Sequence, residues 1–380
     1  VKHLRSSGAL DPTRDLYVER ACDAALLARI RASETCLVLA PRQVGKSSLL
    51  IHAQRVLADE CHIGRVDLSS LIGGDADLGM WCERFAGAAV KALRIPSRDE
   101  AWWRGHRGAF AGGASAALFG AFDARREAAE RPVVVMVDEL RFLLDLPFRL
   151  ELLVLLRALR DHLAERNGAR VSFVFAGVAS LHELIADVSA HPFEARAVSV
   201  SDFTLDEALA GFPPALEGSP NERESMARAV YERTSGHPAM TQAALLDAST
   251  EAPGDAAERT AAAIDRLYLA HDIKDVGLFK DAELGFSPTA GDGARRRAVE
   301  RIDLYATVRA AHPEAVAVDV RSPGRGEALK ALRIAGVVSM ESRGESPRAR
   351  TRNEVFARVF DARWIERHRA RDDVAECTRA

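Results

Sequence analysis

The run Leu37–Leu50, reading LVLAPRQVGKSSLL, restricts this chain more than any other stretch. Cys36, Leu37, Val38 and Leu39 form a short apolar, β-prone segment; a loop follows, and an apolar helical pattern begins at Leu49 and Leu50. Strand, loop, Gly45-Lys46-Ser47 and helix in that order predict a cradle for nucleotide phosphates. Backbone N–H groups of the loop and helix start face the anionic oxygens, Lys46 brings a mobile positive charge, and the Ser47 hydroxyl can hold Mg²⁺. The expected binding residues are therefore Ala40, Pro41, Arg42, Gln43, Val44, Gly45, Lys46, Ser47 and Ser48. The usual spelling opens with Gly where this chain has Ala40, so the match is the looser A-x-x-x-x-G-K-S. Lysine is scarce here (Lys2, Lys46, Lys91, Lys274, Lys280 and Lys330), yet it occupies the phosphate position. A thin ammonium stem fits between phosphates where a planar guanidinium would not. The plainer alternative is a turn that merely contains Gly and Lys.

At 380 residues, with 48% hydrophobic content, the chain is sized for two or three domains with sizeable cores. The formal net charge of −3 gives no global push toward nucleic acid or an anionic membrane. Cys22, Cys36, Cys61, Cys82 and Cys377 are scattered without a C-x-x-C pair and read as reduced thiols of a cytoplasmic protein, not as disulfides or zinc ligands. No apolar run approaches the ~18 residues needed to span a bilayer, so no membrane partner is expected.

Helical spacing predicts helices over Glu19–Ala32, Ser48–Leu57, Leu78–Leu93 and Leu150–Leu163, with Asn167-Gly168 as a stop. Strands are expected at Gly64–Leu68, Val133–Val137, Val171–Ala176 and Ala197–Val200. The unbroken apolar run at Val133 suits a strand covered on both faces, and the alternation suits a parallel sheet. The segment around Trp102, Trp103 and Gly112 is poorly patterned and is assigned weakly to helix. Beyond Thr204 the pattern turns helical: Leu205–Leu209, Glu222–Thr234, Thr241–Asp247 and Ala256–Leu269, separated by loops rich in Pro and Gly. From about Ala298, helices precede Ala335–Met340, a polar turn and Asn353–Phe360, which fits a small winged-helix-like module. The expected division is 1–33 as an N-terminal lead and helix, 34–204 as the core that carries the phosphate loop, 205–297 as a helical unit, and 298–380 as the C-terminal module. The expected fold class is α/β: a parallel sheet covered by helices, then the helical unit and the winged-helix-like end.

Nucleotide hydrolysis needs charge neutralisation and a positioned water, with little covalent work. Asp138 and Glu139 end the apolar strand and supply the two acids required, Asp138 for the Mg²⁺ shell and Glu139 to polarise the water. The alternative is a strand ended by ordinary surface acids. Ser180, after the next strand, either senses a γ-phosphate or caps a helix over Leu181–Ala186. Arg157 and Arg160 are read mainly as solvated helix arginines, with a reach toward a neighbouring subunit's nucleotide as the alternative. Arg196 is open in the same way.

These residues together resemble the AAA-like ATPase domain of prokaryotic STAND-type signalling NTPases. The resemblance runs from Leu16 to Trp364. It is carried by DLYVER at Asp15–Arg20, LAPRQVGKSSL at Leu39–Leu49, VVVMVDEL at Val133–Leu140, DLPF at Asp145–Phe148, FAGVAS at Phe175–Ser180, HPFEAR at His191–Arg196, DFTLDEA at Asp202–Ala208, YERTSGHPAMTQ at Tyr231–Gln242 and RNEVFARVFDARW at Arg352–Trp364. It implies an ASCE-type P-loop sheet, a helical lid and a winged-helix-like end. It also implies that Gly236, His237 and Pro238, at a lid helix start, lie near the nucleotide; from residues alone they are a helix boundary. Arg141 and Phe142 depart from the family pattern, where acidic and small residues are usual.

The function so implied is a Mg-ATP-binding signalling switch with slow ATP hydrolysis. Lys46 and Glu139 are catalytic, Ser47 and Asp138 hold the metal, and a homo-oligomer forms on ATP binding. Relatives often carry repeats or an effector domain, and with none visible here an unidentified sensor or effector protein is expected as partner. The alternative is a DNA-associated AAA-type ATPase resembling origin-recognition or transposition helper proteins. It is motivated by the basic Arg343–Arg352 segment and opposed by the near-neutral total charge.

Overall fold

The computed structural model describes residues 3–71, 77–94, 131–144, 146–167, 171–178, 195–250, 254–288, 293–341 and 347–377. Trp102, Trp103, Gly112, Asp145, Gly168, Ser180, Leu181–Ala186 and His191, and part of Arg343–Arg352, lie outside them, together with what the sequence leads one to expect there.

The N-terminal half alternates helix and strand: α1 (Ala21–Arg31), β1 (Thr35–Leu39), α2 (Lys46–Val56), β2 (His62–Asp67), α3 (Leu78–Ala92), β3 (Val133–Asp138), α4 (Arg141–Leu144), α5 (Arg149–Asn167), β4 (Val171–Gly177) and β5 (Ala195–Ala197). The strands form one five-stranded sheet in the order β2-β3-β4-β1-β5, every neighbouring pair parallel. Strand β4 thus lies between the strand that feeds the phosphate loop and the strand that ends in Asp138-Glu139. This is the ASCE-type arrangement, and the α/β sheet class is as expected.

Period-two alternation explains why the sheet is covered twice. Along β3, Val134 and Met136 join Leu26, Ile30, Leu49 and Leu57 from α1, α2 and the turn after it. Val133, Val135 and Val137 join Trp81, Phe85, Leu152 and Leu156 of α3 and α5 on the opposite face. All six residues of β3 are buried, as a strand between two helical layers requires. Cys22, Cys36, Cys61 and Cys82 are free thiols within these layers, and burial pushes the Cys36 and Cys82 thiols up to about 12.

Strand β5 differs from its expected bounds. It pairs with β1 only over Ala195–Ala197, and after the bond from Val198 N to the Leu37 carbonyl the chain leaves the sheet. Its backbone then serves other partners: the Ser201 carbonyl accepts from Arg20, and Phe203 N donates to the Gly236 carbonyl.

The second half is helical: α6 (Leu205–Gly211), α7 (Pro220–Thr234), α8 (Pro238–Ala248), α9 (Ala256–Ile264, extended by a wider turn over Asp265–Leu269) and α10 (Gly277–Leu284). Thr204, Ser219 and Asp255 each close a capping box with a Glu at the third helical position, so the sequence marks three of these starts directly. α10 carries no such side-chain cap and no helix was expected there. Then come α11 (Ala294–Ala310), β6 (Val316–Ala317), α12 (Pro323–Ile334), β7 (Val338–Glu341), β8 (Arg348–Thr351), α13 (Glu354–Val359) and α14 (Ala362–Cys377). Strands β6, β8 and β7 make a three-stranded antiparallel sheet.

One hydrophobic core runs through both parts. Phe203, Phe212, Met240 and Phe279 share a cluster with Tyr305, Phe356, Phe360 and Trp364, and Phe360 meets Tyr305 and Trp364 edge-on. The expected break between 297 and 298 falls within α11. Among the described residues no helix is long and apolar enough to cross a membrane.

Candidate functional site

The loop between β1 and α2 is shaped by its backbone. Gln43 has φ of +60° and Gly45 has φ of +87°, a left-handed turn that lets α2 begin directly at Lys46. A Cβ at Gly45 would lie 3.1 Å from Arg20 Nη2, so glycine answers both the angle and the close approach. Arg20, 6% exposed, fixes the loop from behind by donating to the carbonyls of Val44 and Ser201, both at 2.9 Å.

Lys46 is folded onto its own loop. Its ammonium donates to the carbonyls of Ala40 at 2.9 Å and Pro41 at 2.5 Å. Burial lowers its pKa to about 8, against the pull of Glu139 and Asp138 and with a smaller push from Arg42 and Arg352. Two carbonyl dipoles do not replace the water a buried ammonium gives up, so this charge is under-compensated and suited to an incoming anion.

A cavity of about 350 Å³ opens over the loop, lined among others by Arg42, Gln43, Gly45, Lys46, Ser47, Ser48, Glu139 and Pro238. That size is within the usual range for small-molecule sites. Eight of the sequence-derived candidates therefore share one space. Ala40 and Pro41 face a different groove beside Val338 and Arg350, and Val44 is buried in the sheet core. Gly236 packs on the Phe203 carbonyl, and His237 lies in a neighbouring chamber.

The two acids take different positions. Asp138 is 1% exposed; its Oδ2 accepts from Arg65 Nη1 at 2.9 Å and its Oδ1 from Glu139 N at 2.9 Å. Glu139 is half-buried, lines the cavity and adopts φ of +57°. A left-handed non-glycine residue costs about 1–3 kcal/mol. Bonds from Leu140 N to the Ala176 carbonyl and from Phe142 N to the Glu139 carbonyl hold the turn. The result turns Glu139 toward the loop while Asp138 stays in the sheet. Among the described residues no group of three or more His, Cys, Asp or Glu is placed to hold a metal. Ser47 lines the cavity, whereas Asp138 lies behind it with both carboxylate oxygens engaged, by Arg65 and by Glu139 N.

Sequence reasoning missed four contributors. The segment Arg5–Leu10 lines the cavity, and Leu10 N donates to Ser48 Oγ at 3.0 Å. Arg65 holds Asp138, and Arg20 holds the loop. Arg352, 6% exposed at its side chain, makes a two-pronged pair with Asp202, Nε to Oδ2 at 3.1 Å and Nη2 to Oδ1. Alternating strand polarity gave a signal for Arg65; the others depend on contacts distant in sequence. Where described, the basic C-terminal run has partners: the exposed Arg348 donates to the Ala315 carbonyl, the half-buried Arg350 pairs with Glu341 at 3.5 Å, and the buried Arg352 pairs with Asp202. Arg157 and Arg160 both pair with Asp161 on their own helix, and Arg196 is exposed on β5.

No protein-family model matches the chain. An uncharacterised WD repeat-containing protein of Synechocystis is 26% identical over 375 residues, which is 95% of this chain and 30% of that relative's length. Among solved structures, Aeropyrum pernix ORC2 with ADPNP and ADP matches at a TM-score of 0.48 and 14% identity, over 93% of this chain and 95% of that one. The ADP form of the same protein gives 0.45 and 16%, over 95% of each chain. A. pernix ORC1 in complex with DNA gives 0.42 and 15%, over 91% and 93%.

Proposed function

We propose that this chain is a P-loop ATPase acting as a nucleotide-dependent signalling switch of the STAND type. The observation that carries the reading is Lys46: a buried ammonium, lowered to about 8 and held by loop carbonyls, at the base of a cavity that also receives Glu139. In this reading the loop amides, Lys46 and Arg42 take the phosphates of ATP. Ser47 and Asp138 hold Mg²⁺, which would neutralise phosphate charge. Glu139 orients the attacking water, and Pro238 with the Arg5–Leu10 segment closes over the rest of the nucleotide. Slow turnover resets the switch, a homo-oligomer forms with ATP bound, and output passes to a sensor or effector protein. The WD repeats for which the Synechocystis relative is named support the STAND branch, because repeats joined to such a core are what the resemblance implies. Arg350 and Arg352 are already paired with Glu341 and Asp202, which gives the DNA-associated alternative no comparable support.

The test is Mg²⁺-dependent ATP binding at millimolar nucleotide. Lys46→Ala should weaken it roughly ten- to a hundredfold, the value of one charge-assisted hydrogen bond. Glu139→Gln should keep binding and suppress turnover. Absence of ATP binding by the wild type, or equal loss of binding and turnover in Glu139→Gln, would overturn the assignment.

A further inference from the structure

Beside the nucleotide-sized cavity lies a second chamber of about 460 Å³, joined to it through Arg42, Val178 and Asp281. Three parts of the chain build it: the end of the parallel sheet, α10 of the helical unit, and α11 and α12 of the C-terminal unit. Its described lining holds six cationic side chains, Arg42, Arg141, Arg297, Arg301, Lys330 and Arg352, against three acids, Asp281, Glu300 and Glu327.

The acids do not balance the cations. Asp281 is taken by Arg42 at 2.7 Å, and Glu300 lies 3.8 Å from Arg296 outside the chamber. Arg352 has its carboxylate, Asp202, behind it. Arg301 donates to the carbonyls of Gly285 and Ser287, not to an acid. Arg141 and Lys330 make no ion pair among the described residues; Arg141 only stacks over Phe142 at 4.6 Å.

Two neighbouring groups are shifted by burial first and by cations second. Burial, then Arg297, hold the Arg301 guanidinium below its ordinary value, against the pull of Glu327. Burial, then Arg352, push His237 down to about 3, and its Nε2 has no hydrogen-bond partner although the ring is fully buried on the chamber wall. A concave, cation-rich space with an unpartnered polar atom on its wall is built for an anion, since field lines concentrate in clefts with low-dielectric walls.

We propose that this chamber is a second anion site, separate from the Lys46 loop, that takes inorganic phosphate or a small phosphorylated molecule and bridges Arg141 of the core to Lys330 of the C-terminal unit. The shared chemistry is a compact dianion. Its source is either free phosphate in solution or phosphate set free from a nucleotide next door. The inference does not rest on the nucleotide reading: Arg141 and Lys330 lie outside the Lys46 loop, and Arg42, the lining cation that reading also uses, is paired with Asp281.

The experiment uses the full chain and inorganic phosphate as probe. One arm follows thermal unfolding as phosphate replaces chloride at constant ionic strength; the other measures labelled phosphate retained by the protein after incubation with γ-labelled ATP. A shift in the first arm identifies solution phosphate, and retention in the second alone identifies phosphate made in place. The double variant Arg141→Glu, Lys330→Glu should weaken phosphate binding roughly tenfold or more, while Lys46→Ala leaves the first arm's response intact. Lys330→Gln, a milder change, should weaken it in the same direction if the double variant folds poorly. Bound phosphate in neither arm, an unchanged response in all Lys330 variants, or loss of the first arm's response in Lys46→Ala would overturn the second site. The Lys46→Ala outcome would return the anion to the loop and leave the nucleotide reading standing.

Discussion

Arg65 Nη1 and Asp138 Oδ2 lie 2.9 Å apart across neighbouring strands, with the carboxylate 1% exposed and the guanidinium 30% exposed. A protein cation therefore already neutralises the acid that a metal would use. Arg65→Gln should lower the stability of the ligand-free chain by about 1–3 kcal/mol, the cost of leaving a buried acceptor short of its partner. The deficit should shrink when Mg-ATP is added, because a dication beside Asp138 restores the missing positive charge. Urea unfolding of both proteins with and without Mg-ATP checks this, and an equal deficit in both conditions would argue that Arg65 is purely structural.

Lys46 gives a pH-dependent signature. With a folded value of about 8 against an ordinary 10.5, the side chain is neutral in the empty fold and charged in the unfolded chain between those limits. Unfolding then takes up a proton, so this group's contribution to stability rises with pH across that window and is flat below about 8. An anion bound beside it recharges it, so ligand binding above pH 8 should also take up protons. Calorimetry in two buffers of different ionisation enthalpy reads the uptake, and Lys46→Met should abolish it.

Gly236 joins the core to the helical unit. Its φ is +73°, and an added Cβ would lie 2.2 Å from the Phe203 carbonyl oxygen. Backbone cannot give way as a flexible side chain can. Gly236→Ala should cost about 2 kcal/mol or more, measured by denaturant unfolding, and should expose the Phe203 backbone amide to hydrogen exchange because its bond to the Gly236 carbonyl is disturbed.

Arg352 and Asp202 form a coupled pair with side chains 6% and 18% exposed. Burial works to raise the Asp202 carboxyl, but the charge and hydrogen bonds of Arg352, with a smaller pull from Arg20, outweigh burial and hold the pKa below its ordinary 3.8. That stability is present at neutral pH and is lost as pH falls below the ordinary carboxylate range through the lowered folded value. Arg352→Met and Asp202→Asn should each destabilise by roughly 3 kcal/mol, and the double variant by clearly less than the sum. Additive losses in a double-mutant cycle would mean the two groups act independently.

The sequence exposed what periodicity and capping encode. β3 was legible because six apolar or acidic residues in a row admit few other structures, and α7 because of its helical spacing over Glu222–Thr234, although its capped start at Pro220 lies two residues before the expected one. The pairing of Lys46 with Glu139 in one cavity followed from strand order, which loop and acid motifs imply together. What stayed hidden was long-range: Arg20 on Val44, Arg65 on Asp138 and Leu10 on Ser48 are contacts that no local pattern announces. β5 stops short of its expected end because Val198 and Val200, although still packed in the sheet core, lie beyond the last backbone bond to β1, from Val198 N to the Leu37 carbonyl. The position of His237 outside the loop cavity was illegible for a related reason: adjacent residues at a helix start point into different spaces.

The contact between Gly336 and Pro41, where an added Cβ would sit 3.0 Å from the proline ring, has a bearing on biosynthesis. The loop leaves the ribosome roughly three hundred residues ahead of the segment that packs against it. At ordinary elongation rates that interval is on the order of fifteen seconds to a minute. A nascent chain can complete its parallel sheet in that time, yet the loop at Pro41 keeps one flank bare until the segment around Gly336 has been made.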